Sequence, residues 1–144
     1  MTDLDAVKDI PFSRHLGVQT LVKEPGHVVL ALDLRPEHLN SWEAAHGGII
    51  MSLLDMAMGT SLRATTPEYR GAVTVEMKIN FINPGKGRLV AEGRVIHQGR
   101  SLSVCEGEVR DGSGQLVAKA MGTFKLLAPK GEGARTEAAG SETK

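Results

Sequence analysis

His46-Gly47-Gly48 and, nine residues after the histidine, Asp55 are the positions in this chain where residue type and spacing most plainly suggest chemistry. Around them Ile49, Ile50, Met51, Leu53, Leu54, Met56, Ala57, Met58 and Leu62 read as one helix over about 47–64, free of proline and rich in good helix formers. On a helical wheel these side chains cover nearly the whole circumference, so the helix is expected to be enclosed by other structure. Asp55 then sits in an apolar surrounding. A carboxylate buried without partners costs on the order of several kcal/mol or has its pKa raised, so Asp55 should accept hydrogen bonds or act as a base or nucleophile. A membrane span is the competing reading, but Asp55, Arg63 and the glycines interrupt a run barely long enough to cross.

Other chemistries find little footing. A single cysteine, Cys105, excludes an intrachain disulfide and a thiolate cluster, and nothing near it in sequence would lower its pKa. His15, His27, His38 and His97 are scattered without metal-ligand spacing, so neither a metal nor another cofactor is expected. No Gly-x-Ser-x-Gly elbow is present, and neither a complete Gly-x-Gly-x-x-Gly nor a Walker A loop occurs. Seventeen basic residues balance seventeen acidic ones, which gives no global field to gather nucleic acid. One Trp, one Tyr and three Phe offer few stacking platforms for bases.

The elements that must position the helix follow from pattern. The 144 residues suit one domain with a real core. The acidic opening Met1-Thr2-Asp3-Leu4-Asp5 lacks the apolar stretch of a signal peptide, so a cytoplasmic location is expected. A short amphipathic helix over Leu4–Ile10 is expected to end at Pro11. Strands over about 18–23 and 28–34 flank the Pro25-Gly26 turn signal and make a hairpin. After the long helix, Val73, Val75, Met77, Ile79 and Phe81 alternate with Thr74, Glu76, Lys78 and Asn80, a half-buried strand halted by Asn83-Pro84-Gly85. Stretches 89–96, 101–110 and 116–127 read as a meander joined by turns at Gln98-Gly99-Arg100 and Asp111-Gly112-Ser113-Gly114. Residues 1–128 thus form the expected domain, and 129–144, without a large apolar residue, an expected disordered tail. The fold class is α+β, an antiparallel sheet of about six strands wrapped around one helix. So small an enclosure leaves part of the helix for a second subunit, and at least a dimer is expected.

That order, with His46-Gly47-Gly48 opening the helix, Asp55 within it, Asn40 six residues before His46, and Thr74-Val75-Glu76-Met77-Lys78-Ile79-Asn80-Phe81-Ile82-Asn83-Pro84-Gly85 downstream, resembles the hotdog-fold acyl-CoA thioesterases, in particular the PaaI-like (phenylacetate-pathway) group. The resemblance spans roughly residues 14–127. It implies hydrolysis of acyl-CoA thioesters at two equivalent sites built by paired subunits, with a dimer or a tetramer of two dimers as the assembly. It further implies that Asp55 is the catalytic base or nucleophile and that Asn40 holds the attacking water or the substrate. By the same resemblance the backbone N–H of Gly48 or Gly47 polarises the carbonyl, His46 supports that loop, and Thr74 takes the place of a catalytic-site Ser or Thr. Glu43 departs from the glycine common in relatives, and the Trp42-Glu43 pair would reshape the pocket mouth. Arg88 and Arg100 are candidates for the phosphates of coenzyme A, beside the plainer reading of Lys86, Arg88, Arg94 and Arg100 as solvated turn charges. Met58, with Met51 and Leu54, is a candidate for the depth of the acyl pocket.

Thioester hydrolysis needs donors for a developing oxyanion and a base or nucleophile on the other side of the carbonyl. Free N–H groups at a helix N-terminus suit the first role, and glycine lets a carbonyl approach closely. Seven residues separate Gly48 from Asp55, roughly 10 Å of helical rise, whereas the donors must lie within roughly 3 Å of the oxyanion. One helix therefore cannot serve one carbonyl with both groups, and the site requires two subunits. Thr74 sits awkwardly in this scheme, since strict alternation puts it on the face opposite Val73 and Val75. A hotdog dehydratase would need a differently spaced carboxylate and histidine, and no histidine follows Asp55 until His97. A non-catalytic acyl-CoA-binding or regulatory module is the alternative from another class, against which Asp55 argues.

Overall fold

The computed structural model describes residues 10–129. The expected helix over Leu4–Ile10 lies almost wholly outside the described residues, as does nearly all of the expected tail. Pro11 opens a helix where the sequence reading had it close one. Helix α1 spans Pro11–Leu16 with proline at its first turn, where the missing N–H takes no intrahelical bond anyway. Gly17, at φ 84°, ends it by donating to the carbonyls of Ser13 and Arg14.

Strands β1 (Gln19–Glu24) and β2 (His27–Asp33) form the hairpin, a single 3₁₀ turn covers Pro36–His38, and helix α2 runs Gly47–Arg63. Then come β3 (Gly71–Phe81), β4 (Arg88–Gln98), β5 (Leu102–Asp111) and β6 (Leu116–Leu127). All pairings are antiparallel, in the order β1-β2-β4-β5-β6-β3. Thus β4-β5-β6 is the meander, while β3 skips its successor in the chain and closes the far edge against β6. This is the expected hotdog arrangement.

Helix α2 lies along the inner face of the sheet, packed on β2 through β6. Leu53, Leu54, Ala57, Met58 and Leu62 meet Leu30, Leu89, Ala91, Val109 and Phe124 in one apolar cluster. The approach is close because three strands present glycine to the helix. A Cβ on Gly93 would fall 2.4 Å from the carbonyl carbon of Ala57, and one on Gly107 would reach Leu54 Cδ2 at 3.0 Å. Gly93 and Gly107 face each other across β4 and β5, and Gly122 on β6 continues the trough beneath Met58.

The helix is not enclosed all round. Met51 and Arg63 are exposed and Gly48, Ser52 and Asp55 half-buried, a stripe the sheet leaves open. One sheet can cover only one side of a helix, and the wheel of apolar residues overstated what a single subunit buries.

Gly93→Ala is expected to destabilise the fold by about 1–3 kcal/mol, the range of overpacked cores, because the clash is with helix backbone and not with a flexible side chain. Urea denaturation of parent and variant measures it. An unchanged midpoint would mean that α2 shifts without resistance.

Candidate active site

The segment leading into α2 is tied down by its own polar groups. Asn40 Oδ1 accepts the backbone N–H groups of Trp42 (2.9 Å) and Ala44 (3.2 Å). Both partners are donors, so the oxygen must face them, and among the described residues the amide NH₂ is the end left to reach outward. Asn40 is therefore the turn-forming residue that the plainer reading allowed, with a donor to spare. Glu43 stands at φ 60°, a left-handed conformation that disfavours a side chain by roughly 1–2 kcal/mol.

His46 caps the helix. Its Nδ1 accepts the Gly48 N–H at 2.9 Å, and its backbone N–H donates to the His38 carbonyl at 2.9 Å. An accepting Nδ1 puts the proton of the neutral ring on Nε2. Ile49 and Ile50 donate to the His46 carbonyl. Of the first helical N–H groups, that of Gly47 alone has no partner among the described residues. The two glycines thus differ, since Gly48 is spoken for and Gly47 is open.

Gly47 also opens onto a cavity of about 430 Å³, whose lining includes Asn40, Trp42, Ala44, Ile50, Phe81 and Asn83. A pocket of this size falls in the small-molecule range. Asp55 is not part of it. Eight residues beyond Gly47, roughly 12 Å along the axis, its Oδ1 accepts the Thr74 hydroxyl at 2.5 Å.

That hydrogen bond depends on a bulge in β3. Thr74 pairs with Phe124 and Glu76 with Thr123, so Val75 is an extra residue. Before the bulge Thr74 shares the helix-facing side with buried Phe124. After it, Met77 and Ile79 take that side and join the core. Val73 and Val75 are 44% and 54% exposed. The expected strict alternation, with Val73 and Val75 facing inward beside Met77, is corrected here: one inserted residue flips every side chain on one side of it.

The other candidates lie apart. Arg88 Nη1 holds both oxygens of Asp33 at 2.9 and 3.0 Å, and Nη2 reaches Gln19. Arg100 is exposed in the β4–β5 turn, at the opposite end of β4 from the cavity. Met58 is fully buried against Gly107 and Gly122 and lines the trough, not the cavity. Burial pushes the Cys105 thiol up to about 11, which suits an inert core residue. Among the described residues no three His, Cys, Asp or Glu side chains stand close enough to hold a metal, and no helix is long and apolar enough to cross a membrane.

Two features escaped the sequence reading. Phe81 and Ile82, both about half exposed, put consecutive apolar residues at the end of β3 and on the cavity rim. Such a pair breaks strand alternation just before Asn83-Pro84-Gly85, and that break was the available signal. The second is buried His38, whose carbonyl anchors His46 and whose Nδ1 accepts the Arg35 N–H at 3.0 Å. No local pattern distinguished it from the other histidines.

The geometry agrees with known proteins. The model of the Thioesterase superfamily matches residues 43–118. A presumed esterase of Saccharolobus solfataricus is 36% identical over 81% of this chain and 84% of its own length. Human acyl-coenzyme A thioesterase 13 is 32% identical over 80% of this chain and 84% of its own. The PaaI protein of the Escherichia coli phenylacetic acid degradation operon superposes with a TM-score of 0.79, covering 85% of this chain and 88% of that one; at 24% identity it speaks for the fold. The chain belongs to the thioesterase superfamily. It is a hotdog-fold thioesterase.

Burial, and then the Arg35 guanidinium, hold the His38 imidazole below its ordinary pKa of 6.5, against a smaller opposing effect of Glu37. The unfolded chain therefore takes up this proton first as pH falls. The stability contributed by neutral His38 is complete above about pH 6.5 and is lost as pH drops toward the folded value. Urea midpoints of the parent should fall more between about pH 7.5 and 5.5 than those of His38→Gln. Equal falls would remove His38 from the pH dependence.

Proposed function

We propose that this thioesterase hydrolyses acyl-CoA at a site shared by two subunits, with the Gly47 N–H of one and Asp55 of the partner subunit on either side of the thioester carbonyl. The observation that carries this is the division of labour along α2. The open N–H lies at Gly47, the carboxylate with its Thr74 donor lies eight residues on, and one carbonyl cannot meet both on one helix. Two α2 helices crossing antiparallel near Met51, midway between them, bring each Gly47 opposite the other subunit's carboxylate. Met51 is 44% exposed on the stripe the sheet leaves open, and the neighbouring edge strand β3 exposes Val73 and Val75, which fits an interface there. The resemblance to a human protein named as an acyl-coenzyme A thioesterase supports the substrate class.

In this reading the Thr74 hydroxyl holds one oxygen of Asp55, which leaves the other to take a proton from the attacking water. The oxyanion forms against the Gly47 N–H, strengthened by the positive end of the helix dipole, with the Asn40 NH₂ as a side-chain donor in the lining of the same cavity. The C–S bond then breaks and the thiolate leaves with the proton. His46 acts one step removed, by occupying Gly48 and orienting the first turn.

Asp55→Asn should lower kcat at least about a hundredfold in a thiol-release assay, the scale of losing a general base. Gly47→Pro should be equally damaging with the helix retained, because proline fits a first helical position and takes away its N–H, while the added Cβ stands in ordinary contact with the Phe81 ring at 3.5 Å. The backbone before it, His46 at φ −59° and ψ 141°, already suits a proline. Mixing the two inactive variants should recover about a quarter of parental activity, since each heterodimer rebuilds one intact site. No recovery after confirmed subunit exchange would sink the shared site, and full activity of Asp55→Asn would sink the role of Asp55.

A further inference from the structure

We propose that the cavity beside Gly47 is the acyl subsite, shaped for an apolar acyl chain longer than acetyl, with Ala44 setting its depth and Trp42 forming its outer wall. This rests on the thioesterase reading above.

Burial divides the lining into a floor and a rim. Ala44, Ala45 and Ile50 are 3%, 5% and 4% exposed, whereas Trp42, Phe81 and Ile82 are 82%, 54% and 49% exposed. The cavity thus has depth, and small side chains at its base provide it. Ala45 and Ile50 also pack in the main apolar cluster, but Ala44 is buried outside that cluster, so its methyl group belongs to the cavity floor.

A carbonyl held on the Gly47 N–H sends one substituent into this cavity and the other away from it. The two amide side chains in the lining are turned partly to the protein's own backbone, and the indole N–H of Trp42 belongs to the exposed rim. Asn40 Oδ1 accepts from Trp42 and Ala44, and Asn83 Nδ2 donates to the Leu116 carbonyl at 2.8 Å. The pantetheine arm of coenzyme A carries amides that would be stripped of water there with few partners, which is unfavourable. A hydrocarbon chain loses nothing by entering and gains from leaving water. The apolar substituent therefore takes the cavity, and the pantetheine takes the outward path.

Initial rates over a series of straight-chain acyl-CoA thioesters test this. Each methylene buried in the transition state should raise kcat/KM roughly fourfold, so octanoyl-CoA should exceed acetyl-CoA by at least about tenfold in the parent. Ala44→Leu, which fills the floor, should lower that octanoyl-to-acetyl ratio at least about tenfold. Trp42→Ala, at an exposed side chain whose loss leaves the fold intact, should lower it several-fold and so decides the matter even if Ala44→Leu folds poorly. A ratio unchanged by Trp42→Ala and by any folded Ala44→Leu, with all substrates slowed alike, would assign the cavity to the pantetheine arm or to a segment of the second subunit, and would overturn the proposal while leaving the thioesterase reading standing. A parent that releases thiol from no member of the series would overturn both.

Discussion

The close seating of α2 in its glycine trough governs everything else in this molecule. With Gly93 and Gly107 presenting no Cβ to the helix, the backbone of Ala57 comes down almost onto β4, and the helix can neither rotate nor slide without meeting strand backbone. Its rotation decides which side chains enter the sheet. Leu54 and Met58 are driven into the trough, and Asp55, one residue along, is left at the margin of the covered side, within reach of the edge strand β3. A larger gap between layers would accommodate several rotations of so apolar a helix. This gap admits one.

The same seating gives the helix start its character. Its N-terminus is pinned from outside by the His38 carbonyl, and the Gly85 carbonyl holds Ala45 just before it. Each of the first backbone donors then meets a different fate according to what stands before it. An imidazole takes one, the His46 carbonyl takes two, and one remains beside the cavity. An N-terminus whose donors were all solvated, or all capped, would have no such selectivity. The Asn40 turn and the left-handed Glu43 lie just before this start, in the loop that leads Ala45 to the Gly85 carbonyl and His46 to the His38 carbonyl. A side chain at Glu43 costs conformational energy that a glycine would not.

Much of this was legible in residue order. The limits of α2 and of all six strands fall within two residues of what periodicity and turn chemistry predict, because a central helix and half-buried strands leave strong local signatures. The distance between Gly48 and Asp55 was likewise readable, since helical rise is a property of the backbone alone. Three things were not. Pro11 is compatible with ending a helix or beginning one, and only the turn it joins decides. The β3 bulge is a single unpaired residue with no composition cue, so Thr74 looked displaced from the helix it in fact faces. The choice between Gly47 and Gly48 turned on which of two adjacent N–H groups an imidazole happened to reach.

Residue order is enough to set the elements, the chemistry of the residues at the start and middle of α2, and the impossibility of one helix serving one carbonyl from both places. These are consequences of local backbone geometry and side-chain type. Long-range packing settles that β3 pairs with β6 and not with β4, that Thr74 meets Asp55, that Met58 lies in the trough and Ala44 in the cavity, and that Arg88 is held by Asp33. Each of those depends on register between segments distant in the chain. Register is set by the packing of whole faces against one another, and one extra residue in one strand is enough to change it.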